Sequence, residues 1–154
     1  MPKKILQKNA KILRRITQEV LISDIKTTKI KKILEEMSEA LMSQNDGVAI
    51  AAPQIGYPFR IFVVSGKIMK TGFPARGVSQ ADGPTRPPSL RSDESGRGGS
   101  ANPKDLIFIN PKISKLSRKK EWVPEGCLSV RPLYGRTFRS KKATVTAYDE
   151  NGKK

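Results

Sequence analysis

Between Thr28 and Ser43, apolar residues fall at Ile30, Ile33, Leu34, Met37 and Leu41, the i, i+3, i+4, i+7, i+11 spacing of one helical face. Ser23, Asp24, Thr27 and Thr28 offer oxygens to cap its first turn, and Asn45-Asp46-Gly47 offers a stop. Upstream, the clusters Ile5-Leu6-Gln7, Ile12-Leu13-Arg14 and Val20-Leu21-Ile22 are separated by polar residues, which predicts an arm laid across a core. Downstream the pattern changes. Phe59-Arg60-Ile61-Phe62-Val63-Val64 and Leu106-Ile107-Phe108-Ile109 are rich in β-branched and aromatic residues and read as buried strands, the second closed by Asn110-Pro111. A strand is expected from Lys112 to about Val123, and another through Ala143-Thr144-Val145-Thr146-Ala147-Tyr148. One helix followed mostly by strands predicts an α+β domain in which the arm and helix pack on an antiparallel or mixed sheet.

Two segments depart from this pattern. Residues 70–104 are dense in Gly, Pro, Ser and Arg and hold few groups able to build a core, so they read as a low-complexity, disordered insertion within a single domain spanning 1–154. At the other end, Asn151-Gly152 follows a clear strand and signals a tight hairpin turn. Only Lys153 and Lys154 follow it, and the expectation is an incomplete domain whose chain stops inside a folding unit.

Composition narrows the setting. The length of 154 residues suits one ordinary domain. No apolar stretch approaches bilayer-spanning length, and the Lys-rich start from Lys3 has no apolar core and cleavage pattern behind it, so a soluble, unexported, cytoplasmic protein of bacterial type is expected, without membrane partners. One cysteine cannot form an internal disulfide. The net charge of +16 sits at the ends: residues 1–32 carry ten Lys and Arg against two acids, residues 112–154 twelve against four, and the middle balances at eight and eight. Such a field attracts polyanions, although a lysine-rich solvated surface has the same composition. Along the chain no run interleaves aromatic with basic residues, and no sequence-specific DNA-binding motif is present. The basic run Arg136, Arg139, Lys141 and Lys142 reads as a solvated strand edge, where lysine discourages edge-to-edge pairing.

Two segments hold candidate chemistry. Gly47-Val48-Ala49-Ile50-Ala51-Ala52-Pro53-Gln54-Ile55-Gly56 packs small residues ahead of a strand, which lets a backbone or a ligand come close, and Gln54 adds an amide that both donates and accepts. A tight helix-to-strand crossing with an exposed glutamine has the same sequence. Val123-Pro124-Glu125-Gly126-Cys127-Leu128-Ser129-Val130 contains the only cysteine of a chain that has no histidine. A thiol acts as ligand or nucleophile in its thiolate form, and no imidazole is present to promote it, so Cys127 alone reads as an inert thiol.

Taken together and in this order, Gly-Val-x-Ile-Ala-Ala-Pro-Gln-Ile-Gly after an amphipathic helix and Glu-Gly-Cys-Leu-Ser downstream closely resemble the first two signature motifs of peptide deformylase. Ile5-Leu6-Gln7 and Ile12-Leu13-Arg14 look like that family's N-terminal arm, and Phe108-Ile109-Asn110-Pro111 like its strand end, so the resemblance covers residues 3–68 and 105–154. It implies a metal-dependent hydrolase that removes the formyl group from the initiator methionine of nascent chains, with those chains and the ribosome as partners. The implied cofactor is a divalent metal, iron in the family with zinc or nickel as substitutes, and the implied ligand here is Cys127. The resemblance makes the backbone N–H of Leu128 and the side chain of Gln54 the stabilisers of an oxyanion. It makes Gly47, Val48, Ala49, Glu125 and Gly126 the residues around the substrate. Ala49 stands where the first motif has its second glycine. The third motif, His-Glu-x-x-His on a helix, would give two ligands and the base, and it is absent from this sequence. The expected polypeptide is therefore an incomplete deformylase, lacking the metal-binding helix, inactive as it stands and unable to hold the metal stably. A degenerate basic module that associates with ribosome or RNA is the alternative.

Overall fold

The structure is a computed structural model that describes residues 1–68 and 104–154. The expected insertion lies, up to residue 103, outside the described residues. Helix α1, Thr28–Met42, forms where the 3.6-residue period predicts it. Thr27 is its cap, with Oγ1 accepting from the Ile30 N–H, and Ser43 ends it by donating its backbone N–H to Glu39. Its apolar face buries Ile30, Ile33, Leu34, Met37, Ala40 and Leu41. Each fully buried Ile, Leu or Met among them contributes about 1.5–3 kcal/mol relative to exposure.

Against that face packs a four-stranded antiparallel sheet in the order β1-β2-β3-β6, made of Ala49–Ala51, Ile61–Val64, Leu106–Leu116 and Ala143–Tyr148. Strand alternation sends Ile50, Ile61, Val63 and Ile109 into the core. Phe62 and Phe108, directly opposite in register, stack on the other face with ring centroids 4.4 Å apart. Two further strands, β4 (Lys120–Gly126) and β5 (Tyr134–Ser140), form a separate antiparallel ribbon. The mixture of one helix with antiparallel strands is the α+β class expected.

The strand boundaries differ from expectation in two places. Asn110-Pro111 does not close β3, which runs on to Leu116. The proline, which has no N–H to donate, falls in a register shift between Ile109 and Lys112, where the ladder needs no bond from it. Nor does one strand run from Lys112 to Val123. Ser117 Oγ donates to the Lys119 carbonyl and turns the chain, so β4 starts afresh at Lys120.

The N-terminal arm buries Ile5 and Val20 of its predicted clusters and also Ile25, while Ile12 and Leu13 are only partly covered and Leu21 and Ile22 are exposed. Its anchor is Asn110, buried and at φ 51°, a left-handed conformation that Asn tolerates better than most residues. The Asn110 side chain accepts from the Val20 N–H at 2.8 Å and donates to the Val20 carbonyl at 2.7 Å, replacing a missing strand partner. The Asn151-Gly152 turn also forms. Asp149 accepts from the backbone N–H groups of Asn151 and Lys153, with Gly152 at φ 75°.

Asn110→Ala removes both bonds to Val20 and leaves an alanine at positive φ. It should lower unfolding stability by about 2–3 kcal/mol, read as a lower urea midpoint at unchanged slope. A loss within error would show that the two bonds to Val20 do not anchor the arm.

Candidate active site

The two motifs named from the sequence, with Gln54 and Ser129 separated by 75 positions, meet in space. After α1 the chain must reverse quickly into β1. Gly47 makes this possible, because a Cβ there would sit 2.9 Å from both the Leu41 carbonyl oxygen and its side chain. Its lack of a side chain thus serves the helix-to-strand crossing. Among the described residues the only non-glycine at positive φ is Asn110, so Ala49 takes the glycine's place without backbone strain.

Residues Ala52–Ile55 form one 3-10 turn closed by Gly56 at φ 93°. It turns Gln54 back over the strand. The Gln54 Oε1 accepts from the Ala51 N–H at 2.8 Å, and Nε2 donates to Ser129 Oγ at 3.0 Å, joining residues 75 positions apart. Its backbone carbonyl accepts from the Leu6 N–H at 2.7 Å. An exposed glutamine, the plainer reading of the sequence, is not what forms: Gln54 is half-buried and committed at three atoms.

The cysteine segment leaves β4 at Gly126 and turns tightly, with the Val130 N–H donating to the Cys127 carbonyl at 3.0 Å. Ser129 is buried at 3% exposure, while Cys127 is exposed and free. The Leu128 carbonyl accepts from Gln7 Nε2 at 3.2 Å, whereas the Leu128 N–H has no acceptor among the described residues. Gly126 is required by packing, since a Cβ there would lie 2.7 Å from the Tyr134 ring. Glu125 projects from the other face of the ribbon, its Oε1 2.7 Å from Arg139 Nη1.

A set of residues with no role assigned from sequence holds this loop to the body. Asp46, read only as part of the helix stop, accepts from both Arg131 guanidinium nitrogens and from the Tyr134 hydroxyl at 3.1 Å. The Arg131 guanidinium first, and the Tyr134 hydroxyl after it, hold the Asp46 carboxyl below its ordinary range against the opposing effect of burial. The same pairing raises Arg131 further. Nothing in the sequence spacing, 85 and 88 residues, marks these partners.

The donor set does not amount to a metal site. Among the described residues no three His, Cys, Asp or Glu side chains converge, and Glu125 is drawn to Arg139. The sequence has no histidine, so Cys127 stands as a single soft donor.

The family model for polypeptide deformylase matches residues 2–154. The chain belongs to the polypeptide deformylase family. It is 33% identical over 144 residues to peptide deformylase 2 of Clostridium acetobutylicum, covering 93% of this chain and 69% of that protein. It is 32% identical over 142 residues to the chloroplastic peptide deformylase 1A of Solanum lycopersicum, covering 92% of this chain and 45% of that protein. In fold it matches the Met-Ala-Ser-bound class I type b peptide deformylase of Acinetobacter baumannii with TM-score 0.72 at 21% identity, over 99% of this chain and 80% of that one. This deformylase-family chain therefore comes from a family of hydrolases and shares their α+β fold. Among its described residues, no helix is long and apolar enough to cross a membrane.

Asp46→Asn should cost about 1–2 kcal/mol at neutral pH, a charge-assisted contact discounted for the part-exposed arginine. Because the folded-state pKa is depressed, Asp46 contributes fully above the ordinary carboxylate range and loses that contribution as pH falls through the folded value. Urea midpoints of the two proteins should differ at pH 7 and converge only in strong acid. Convergence already near pH 6 would contradict the pairing.

Proposed function

We propose that this chain carries the substrate-facing half of a deformylase site, acting on formyl-methionyl nascent peptides in the cytoplasm of a bacterial-type cell. The observation that carries the reading is the Gln54–Ser129 bond, which sets the glutamine amide beside the Cys127-Leu128 turn. Gln54 Nε2 has a second hydrogen beyond the one given to Ser129, and Leu128 has an uncommitted N–H. Two donors in one place suit the oxygen of a formyl group as it gains negative charge. The roles of Gln54 and Leu128 are thus to hold that oxygen.

Peptide binding follows from the sheet order. Strand β1 is an edge strand, and the Val48 carbonyl accepts from the Ser65 N–H on the β2 side at 2.9 Å. By antiparallel alternation, Ala49 then turns its peptide groups to the open edge. An extended peptide can add there by strand pairing, with half-exposed Val48 beside it. Gly47 holds β1 close to the helix end, and Glu125 and Gly126 flank the thiol from the ribbon. Met-Ala-Ser, the peptide in the A. baumannii structure, is a ligand of the type such an edge would take.

Deformylases are metal-dependent, and Cys127 is the residue we assign as metal ligand in the complete site, with iron, zinc or nickel as the ion. Among the described residues no group of His, Cys, Asp and Glu side chains completes the site around it. Association with the ribosome accords with the strongly basic ends of the chain. The 154-residue polypeptide by itself is proposed to bind substrate weakly and not to hydrolyse it.

Titration with formyl-Met-Ala-Ser should shift the backbone amide resonances of Ala49 and Leu128, with Gln54→Ala suppressing the Leu128 shift. No metal-dependent release of formate should accompany it. Shifts confined to other surfaces would remove the binding reading, and metal-dependent formate release would remove the claim of inactivity.

A further inference from the structure

The β4–β5 ribbon sorts its side chains by face in a way that the linear sequence conceals. Register places Lys120 opposite Ser140, Trp122 opposite Phe138, and Pro124 opposite Arg136, all on one face. The other face carries Glu121, Val123 and Glu125 with Thr137 and Arg139. Both acids of the ribbon therefore lie away from the aromatic pair. There they are neutralised, Glu125 by Arg139 at 2.7 Å and Glu121 by Lys141 at 3.7 Å. Lys120 and Arg136, one residue pair to either side of Trp122 and Phe138, have no ion pair among the described residues.

The aromatic pair itself is open. Trp122 is 61% and Phe138 56% exposed, with ring centroids 5.5 Å apart. At one end of the ribbon the connections to β3 and β6 are bonded side by side, Lys141 N–H to the Lys119 carbonyl and Ser117 N–H to the Lys142 carbonyl, each at 2.9 Å. That pairing crowds Arg118, Lys119 and Lys142, exposed and without ion pairs among the described residues, beside Lys120. Aromatic and basic residues alternate along β5 at Tyr134, Arg136 and Phe138, and the register sets Trp122 and Lys120 of β4 beside them.

We propose that this face binds single-stranded RNA, with a base stacked on Trp122 and Phe138 and phosphates held by Lys120, Arg136 and the basic corner. Exposed rings flanked by unpaired cations are what a sequence-tolerant single-strand platform requires. Open ring faces favour an unpaired strand over a duplex, whose bases are already stacked on one another. The choice of RNA over DNA rests on the deformylase reading, which places the protein where nascent chains are made; the stacking surface stands without it.

Trp122 is the only tryptophan in the chain, so its fluorescence reports stacking directly. A ten-nucleotide oligouridylate should quench it in a saturable way, while heparin, a polyanion without bases, should bind and leave it unquenched. Trp122→Ala should weaken oligouridylate binding about tenfold, and Trp122→Phe, which keeps a ring, should stay within about threefold. Lys120→Gln combined with Arg136→Gln should reduce the slope of log affinity against log salt by about 1.4, two contacts at about 0.7 each. Nucleic acid retained from a lysate should be digested by ribonuclease and spared by deoxyribonuclease. A purely structural aromatic pair would lower the melting temperature of Trp122→Ala and leave RNA affinity unchanged. That result, unquenched binding of oligouridylate, or deoxyribonuclease-sensitive material would each overturn the proposal. These readouts are independent of peptide binding and formate release.

Discussion

The side-chain amide of Gln54 is tied at both ends, and the relative placement of the two motifs depends on that tie. Oε1 fixes the 3-10 turn onto β1 through Ala51, and Nε2 reaches the buried Ser129 hydroxyl in the cysteine turn. A buried hydroxyl left without its partner costs about 1–3 kcal/mol, so the segments have a reason to stay together. Supporting contacts act on the same joint. Gln7 holds the Leu128 carbonyl, and Asp46 grips Arg131 and Tyr134 just beyond the turn. The polar bonds that cross between the body and the ribbon thus converge on one short stretch of chain.

Packing explains why this joint can be precise in a domain with modest apolar content. The core under the sheet is built from α1, the arm and the inner face of β1, β2 and β3, with Ile25, Met37, Val63 and Ile109 wholly buried. The ribbon contributes little to that core. Trp122, Leu133 and Phe138 are each more than half exposed, and an isolated two-stranded ribbon is marginal in water. Its position is set by directed polar contacts to Gln54 and Asp46 instead.

Much of this was legible in the chain. The period of α1, the arm contacts at Ile5 and Val20, the strand runs at Ile61–Val64 and Ala143–Tyr148, and the turn at Asn151-Gly152 appear where pattern and turn chemistry place them. Local patterns carry such elements. What stayed hidden depends on register and long-range pairing: β3 passing through Asn110-Pro111, the turn at Ser117, the Asp46 clamp across 85 residues, and the facing of Trp122 with Phe138. The motifs located Gln54 and Cys127 as candidates, yet only the fold gives Gln54 its partners. For Cys127, no group of three metal-binding side chains converges among the described residues, and the sequence has no histidine to join it.

A double-mutant cycle between Gln54→Ala and Ser129→Ala tests most directly whether this one bond joins the two motifs. Unfolding free energies of the wild type, both single variants and the double variant should give a coupling energy of about 0.5–1.5 kcal/mol. Strict additivity would mean that the two side chains do not meet, and that the motifs are held together by something else.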